Sequence, residues 1–287
     1  MSVFALLLPL SGCSTVGLAY RQADTLAWWW LDRRVDFDAA QAPRVRQALA
    51  QWLDWHRRRP LAEDVALLDE IAREAGADTR AERTCRWWQI VHERQSGHLQ
   101  VLAGGTLSDV LATLSDAQLR HLQQALDDDN REWRERFLRG DADQRLRAAR
   151  ERAIERAEQL YGRLDAAQRR FIGERMRGSP WDATRGLAER QRQQRDLLET
   201  LQALRALPAG DHERRVGLLQ ALAQRLVDTD DPEARQYRDQ LRRFQCELAA
   251  DLHNRTEADQ RREAVQRLQG WARDLRAAGT QITPAGP

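Results

Sequence analysis

Apolar residues recur every three or four positions along nearly the whole chain, with polar residues between them. This spacing places the apolar residues on one side of an α-helix, and no segment shows the sustained alternation of β-branched residues that is typical of a strand. Proline and glycine separate the periodic segments, which favours short turns and antiparallel neighbours. We therefore predict an all-α fold, an elongated bundle of eight to eleven antiparallel amphipathic helices. The clearest stripes are Val45, Leu49, Trp52 and His56; Leu61, Val65, Leu68 and Ala72; Leu146, Ala149, Ala153, Ala157, Leu160 and Leu164; and Val265, Leu268, Ala272 and Leu275.

A short motif precedes several of these helices and consists of an apolar residue, a capping residue, two spacers and a glutamine. In a capping box, the first polar side chain accepts a hydrogen bond from the backbone N–H three residues later, and the glutamine side chain reaches back. Each such cap contributes about 1 kcal/mol. We interpret the motif as a helix start rather than as a ligand site. The capping and glutamine positions are Asp38 and Gln41, Ser115 and Gln118, and Asp165 and Gln168; a looser copy runs Thr256-Glu257-Ala258-Asp259-Gln260, with Glu257 in the capping position.

The amino-terminal residues have the pattern of a lipoprotein signal. An apolar run from Val3 to Leu10 leads into Leu-Ser-Gly-Cys13, which resembles a bacterial lipobox. The resemblance implies that residues 1–12 are a signal peptide and that Cys13 carries the lipid. The residue after this cysteine is Ser14, whereas lipoproteins that stay in the inner membrane have an aspartate there. The resemblance therefore implies an anchor on the periplasmic face of the outer membrane. Because the first two residues include no basic side chain, the alternatives are a true translation start further upstream and an apolar tail packed on a soluble domain.

The charge balance excludes one class of partner. The chain has 46 basic residues, all of them arginine, against 44 acidic residues, and its net charge is +2. A nucleic-acid-binding surface needs clustered basic side chains without matching acids. We therefore expect no nucleic-acid partner.

The cysteine count predicts one disulfide. If Cys13 carries lipid, Cys85 and Cys246 remain as a pair, and two such thiols commonly join in the oxidising periplasm. Two separate buried thiols are the alternative. Cys246 lies opposite the apolar stripe of its helix, a position that a tethered second helix would explain. Cys85 lies near the apolar stripe of its own helix, which consists of Trp88, Val91 and Leu99.

Familiar catalytic and metal-binding motifs do not occur in the sequence. His92 and His98 stand six positions apart, whereas the zinc-binding His-Glu-x-x-His motif places its histidines four apart. The six histidines are otherwise scattered, with no Asp/His or Cys/His cluster along the chain. Gly104-Gly105 lacks the lysine of a phosphate-binding loop, and no Gly-x-Ser-x-Gly motif is present. We expect neither a metal nor a cofactor.

The most unusual polar feature is the acidic segment Asp127-Asp128-Asp129-Asn130 within an amphipathic helix. Helical spacing places Asp129 or Asn130 on the apolar stripe, where an unpaired polar group would cost about 1 to 3 kcal/mol. We favour an interhelical hydrogen bond or an ion pair with arginine that fixes the helix register. A ligand site is the alternative.

Several segments spread along the chain carry a family resemblance. They are Leu18-Ala19-Tyr20, Trp29-Trp30-Leu31-Asp32, Leu114-Ser115-Asp116-Ala117-Gln118, Asn130-Arg131-Glu132-Trp133-Arg134-Glu135 and Arg267-Leu268-Gln269-Gly270-Trp271-Ala272-Arg273-Asp274-Leu275. Together with the lipobox, they resemble an uncharacterised group of proteobacterial lipoproteins, domain of unknown function 6279. That resemblance implies a helical fold and an envelope location, but no activity. The capping motif is also similar to the Leu-Thr-x-x-Gln motifs of the Spy and CpxP periplasmic chaperones, which are small helical dimers.

We therefore expect a helical periplasmic domain over residues 13–287, with residues 178–181 as the boundary if it divides into two sub-bundles. The favoured function is that of an outer-membrane-anchored lipoprotein without enzymatic activity, a scaffold or chaperone-like factor for other envelope proteins. The alternative is a cell-envelope enzyme that acts on peptidoglycan or lipid. That enzyme would use the acidic segment as part of its site.

Overall fold

The computed structural model describes residues 15–229 and 231–280, so the signal segment 1–12 and Cys13 lie outside the described residues. Within these ranges the chain forms thirteen α-helices and no strand, which confirms the all-α prediction. The number exceeds the expected eight to eleven, because a break at Gln22 separates the first two helices and a five-residue helix stands between two longer ones. The helices are α1 (Thr15–Arg21), α2 (Ala23–Val35), α3 (Gln41–Arg58), α4 (Pro60–Glu74), α5 (Ala81–Ala103), α6 (Leu107–Leu111), α7 (Asp116–Phe137), α8 (Ala142–Tyr161), α9 (Ala166–Arg177), α10 (Ala183–Ala206), α11 (His212–Val227), α12 (Pro232–His253) and α13 (Ala258–Thr280).

The most extensive helix pair joins distant parts of the chain. α4 and α13 lie antiparallel, because Leu61 at the start of α4 packs with Ala272 and Gly279, whereas Ala72 near its end packs with Leu268. A Cβ atom on Gly279 would lie 2.6 Å from Cδ2 of Leu61. Glycine at this position therefore lets the two helices approach closely. α1 packs on the same pair through its contacts with α13.

Two large apolar clusters form cores to which distant parts of the chain contribute. One cluster joins α7, α10 and α11 through residues such as Leu122 and Leu204. The other joins α8, α9, α12 and α13 through residues such as Ile154 and Ala264. Each cluster combines residues from both sides of the segment 178–181, which connects α9 to α10. The two sides of that segment therefore stabilise each other.

A disulfide joins α5 to α12. Sγ of Cys85 and Sγ of Cys246 are 2.06 Å apart, across a sequence separation of 161 residues, which confirms the predicted pairing. Cys246 is almost fully buried. α5 also contacts α3, α6 and α11. The disulfide thus fixes a helix that several other helices of the bundle contact.

Candidate functional site

Capping boxes begin four of the helices. The backbone N–H of Gln41 donates to Oδ1 of Asp38 at 2.8 Å, and the amide oxygen of Gln41 accepts from the backbone N–H of Asp38 at 3.1 Å. The same reciprocal bonds occur in the boxes that begin α7 and α9. A box at Asp141 and Gln144 begins α8 and escaped the sequence pattern, because Gly140 stands where the other copies have an apolar residue.

The glutamine of the α3 box is paired with the glutamine of the α7 box. Gln118 Nε2 donates to Gln41 Oε1 at 2.6 Å, and Gln41 Nε2 lies 3.4 Å from Gln118 Oε1. Both side chains are buried. The amide of Gln118 also donates to the backbone carbonyl of Asp36 at 2.8 Å, and the amide of Gln41 donates to the carbonyl of Thr113 at 3.1 Å. In both cases the acceptor lies five residues before the partner glutamine. The capping glutamines therefore join two helix starts as well as capping them.

The second half of the chain repeats this arrangement between α9 and α13. Gln168 and Gln260 exchange side-chain hydrogen bonds of 2.7 and 2.9 Å. Their amides donate to the carbonyls of Arg255 and Arg163, which again lie five residues before the partner glutamine. Gln144 differs, since its side chain is exposed and accepts from the backbone N–H of Asp141 in its own box. The paired boxes are structural joints, and Gln144 provides a natural comparison for them.

Two members of the acidic segment face solvent on α7. Asp127 accepts a hydrogen bond of 3.2 Å from Gln123 on the same helix. Asp128 forms an ion pair with Arg131, also on the same helix. Both aspartates are exposed, and neither bond reaches another helix. These two carboxylates therefore form ordinary surface pairs.

The other two members of the acidic segment connect α7 to neighbouring helices. Asp129 lies between Arg34 of α2 and Arg190 of α10, with N–O distances of 3.1 and 3.2 Å. Asn130 is 3% exposed and exchanges hydrogen bonds of 2.8 and 3.2 Å with Gln194 of α10. Such contacts fix the register of packed helices. This arrangement agrees with the register interpretation and removes the acidic segment as an argument for an enzyme.

A cluster of His56, Asp64 and His98 corrects the expectation that the histidines are scattered. The cluster combines the last turn of α3, the first half of α4 and the second half of α5. Its nitrogen and oxygen ligand atoms, one from each residue, all lie within 4.8 Å of one another. His56 Nε2 is 3.5 Å from Asp64 Oδ2, and the two imidazole rings meet edge to face with centroids 4.8 Å apart. Sequence spacing within one helix does not reveal a cluster that three helices assemble.

Tyr20 and Arg94 flank this cluster. The hydroxyl of Tyr20 is 2.8 Å from Nδ1 of His56, and Arg94 donates to Oδ1 of Asp64 at 3.1 Å. Burial raises the pKa of Tyr20 to about 12, so its hydroxyl stays neutral. Burial by itself raises the pKa of Asp64, but hydrogen bonds from His56 and Arg94 outweigh that effect and hold the pKa below its usual value. The cluster therefore contains a stable carboxylate.

Two tryptophans hold the imidazoles in place. The ring of Trp52 stacks on His56 with centroids 5.5 Å apart, and Trp55 meets His98 edge to face at 5.6 Å. The indole N–H of Trp52 donates to the carbonyl of His98 at 3.0 Å. Burial lowers the pKa of His98, and the neighbouring charge of His56 adds to this effect. His98 is therefore held as a neutral imidazole near physiological pH.

A second tyrosine–histidine pair, Tyr161 and His253, differs from the cluster in the groups that contact its histidine. The hydroxyl of Tyr161 is 3.0 Å from Nδ1 of His253, and Nε2 of His253 is 2.8 Å from the carbonyl of Ala77. Both ring nitrogens of His253 thus have neutral backbone or hydroxyl partners. Nε2 of His56 faces the carboxylate of Asp64 instead, and the imidazole ring of His98 lies beside the ring of His56. His253 therefore has the contacts of a structural residue, whereas His56 belongs to a cluster of metal-ligating groups.

The apolar stripe on α5 is exposed to solvent. Trp88, Val91 and Leu99 are 40%, 40% and 39% exposed. The helix packs against its neighbours through other residues. Cys85 binds α12, and the indole N–H of Trp87 donates to Glu70 of α4 at 3.2 Å. The stripe is left as an apolar surface on a helix that is firmly held.

A second apolar surface lies on α1 and α2, at the start of the described chain. Leu18 and Leu26 are both 52% exposed, Trp29 is 60% exposed and Trp30 is 41% exposed. Leu26, Trp29, Trp30 and Arg33 share one side of α2 by their spacing. The guanidinium carbon of Arg33 lies 5.6 Å from the ring centroid of Trp29. None of the helices in residues 15–229 and 231–280 combines the length and hydropathy that a membrane span needs.

One family model matches this chain over residues 33–231, and its description is "Family of unknown function (DUF6279)". The matched range covers more than half of the 287 residues and includes His56, Asp64 and His98. No curated protein and no solved structure matches the chain. The likeness to the Spy and CpxP chaperones therefore stays a prediction. The match shows that the chain belongs to DUF6279, a family of unknown function.

Proposed function

We propose that this protein is a lipoprotein anchored to the periplasmic face of the outer membrane, where it binds other envelope proteins as a scaffold or chaperone-like factor. The observation that carries the proposal is the exposed stripe of Trp88, Val91 and Leu99 on α5. Exposed apolar residues that recur along one side of a helix are typical of interaction surfaces. Tryptophan is enriched among the residues that contribute most to protein interfaces.

The geometry of α5 favours an amphipathic helix as the bound segment. The three residues lie along one side of a 23-residue helix, where a partner helix can lie alongside them. The disulfide at Cys85 holds this helix on α12, so the strip loses little further freedom on binding. The guanidinium carbon of Arg242 lies 5.7 Å from the ring centroid of Trp88. We therefore expect a partner helix with an apolar face and acidic residues beside it.

The exposed surface of α1 and α2 supports the anchored location. α1 begins at Thr15, directly after the proposed lipid attachment at Cys13. Tryptophan with flanking arginine suits the headgroup region of a membrane, because the ring is apolar and the guanidinium pairs with phosphate. Trp29 and Arg33 provide this combination. Lipid and protein contacts together would hold the domain at the membrane more firmly than either contact alone.

The binding surface is tested by site-specific photo-crosslinking in intact cells. A photoreactive residue at Val91 or Leu99 should give adducts with envelope proteins, because both positions lie within the stripe. Glu93 is the matched control, since it is exposed on the same helix but points away from the stripe. Equal labelling at Glu93 and Leu99, or no adduct at Val91 and Leu99, would contradict the proposed surface.

The lipid anchor is tested by blocking signal-peptide removal with globomycin. We expect a precursor with altered gel mobility to accumulate, because lipoprotein signal peptidase cuts only before a lipid-bearing cysteine. A Cys13→Ser variant should not respond to the inhibitor and should leave the membrane fraction. Unchanged mobility of the parent chain under globomycin would show that Cys13 carries no lipid.

A further inference from the structure

We propose that His56, Asp64 and His98 form a binding site for a divalent transition-metal cation such as Zn²⁺. The three side chains come from α3, α4 and α5, and their ligand atoms lie within 4.8 Å of one another. Imidazole nitrogen and carboxylate oxygen are the ligands that zinc, copper and nickel accept. This site is separate from the protein-binding surface proposed above and does not depend on it.

The distances are close to those that a bound ion requires. A tetrahedral zinc ion with ligand bonds of about 2.0 to 2.1 Å holds its ligand atoms roughly 3.3 Å apart. His56 Nε2 and Asp64 Oδ2 are already 3.5 Å apart. The ligand nitrogen of His98 lies within 4.8 Å of the other two ligand atoms, so binding requires a shift of His98 that brings this nitrogen closer to them. Three protein ligands leave a fourth position for water or for a group from another molecule.

The second shell of the cluster matches that of known metal sites. A histidine that binds a metal through one ring nitrogen usually donates its other N–H to a nearby oxygen. Nδ1 of His56 has the hydroxyl oxygen of Tyr20 at 2.8 Å for this purpose. When a cation binds, Nε2 no longer donates its hydrogen to Asp64, the ring hydrogen resides on Nδ1, and the Nε2 lone pair faces the ion.

Arg94 contacts Asp64 and carries a charge that opposes a bound cation. Its guanidinium takes Oδ1 of Asp64 and leaves Oδ2 towards His56. Arg94 thus orients the carboxylate but also places a positive charge near the ion. Removing that charge should strengthen metal binding. A purely structural cluster would show no such gain.

The test is calorimetric titration of ZnCl₂ into the purified full chain in detergent, after treatment with a chelator. We expect one ion per chain. His98→Ala should weaken binding at least tenfold, because it removes a ligand but lies at a partly exposed position. His92→Ala is the matched control, since His92 is on the same helix and stacks on Trp88 outside the cluster. This control should bind zinc like the parent chain.

Arg94→Gln provides the second arm of the experiment. We expect it to bind zinc several-fold more tightly than the parent chain. Circular dichroism of each variant confirms that the helices are intact before titration. Absence of zinc binding in the folded parent chain, or equal loss in His92→Ala and His98→Ala, would overturn the proposal. Tighter binding by Arg94→Gln together with loss in His98→Ala would support it.

Discussion

Replacing both Cys85 and Cys246 by alanine should lower the free energy of unfolding by about 5 kcal/mol, as expected for a cross-link that closes a loop of this length in the chain-entropy model. The bond spans 161 residues and joins α5 to α12. Without it, the unfolded chain gains the freedom that the long loop had removed. Alanine is the suitable replacement because Cys246 is 2% exposed, and serine would bury an additional hydroxyl.

The measurement is chemical denaturation of the oxidised parent chain and of the double variant, followed by circular dichroism. The parent chain with its disulfide reduced is the control, and it should unfold near the double variant. The loss should also reduce crosslinking from Val91 and Leu99, because α5 is no longer held on α12. Coincident unfolding curves for the parent chain and the double variant would contradict a stabilising role.

Gln118→Glu should lower the free energy of unfolding by about 3 kcal/mol, the scale for a buried hydrogen-bonded pair that loses its donor and gains an unpaired charge. Glutamate serves as well as glutamine in a capping box, so the box with Ser115 is preserved. The carboxylate has no N–H for Gln41 Oε1 or for the carbonyl of Asp36, both of which now accept from Gln118. The substitution therefore removes the hydrogen bonds that Gln118 donates to Gln41 and Asp36 but keeps the cap of α7.

Gln144→Glu is the matched control for this prediction. Gln144 occupies the same position in an exposed box, so its replacement should change the free energy of unfolding by less than about 0.5 kcal/mol. Gln168→Glu should behave like Gln118→Glu, since Gln168 is buried and paired with Gln260. Thermal or denaturant unfolding of the three variants measures the difference. Similar losses in Gln118→Glu and Gln144→Glu would show that the glutamine pairs add nothing to the caps.

The local features of this protein follow directly from its sequence. Spacing of three and four residues predicts the helices, because it concerns neighbours on one helix surface. A capping box is equally local, since Ser115 and Gln118 are three residues apart and interact within one turn. The disulfide between Cys85 and Cys246 was predictable for a different reason, because counting leaves one pair once Cys13 is assigned to lipid.

Other features depend on how the helices pack. The sequence marks Gln41 and Gln118 as caps, but only the meeting of α3 and α7 turns them into a joint. In the same way, the stripe of Trp88 and Leu99 is amphipathic by pattern, and only the packing of α5 against its neighbours decides that this stripe faces solvent. Periodicity shows that a helix has an apolar face, but not which neighbour covers it.

The candidate metal site is the clearest example of a feature that depends on helix packing rather than on sequence spacing. His56 and His98 are 42 positions apart in the sequence, and Asp64 lies on a third helix. No spacing rule connects them, because their distance depends on the crossing of α3, α4 and α5. The sequence by itself determined an all-α chain with capped helices and one predictable cross-link. The tertiary structure alone decided which polar groups meet, since those contacts come from packing between distant helices rather than from neighbours along the chain.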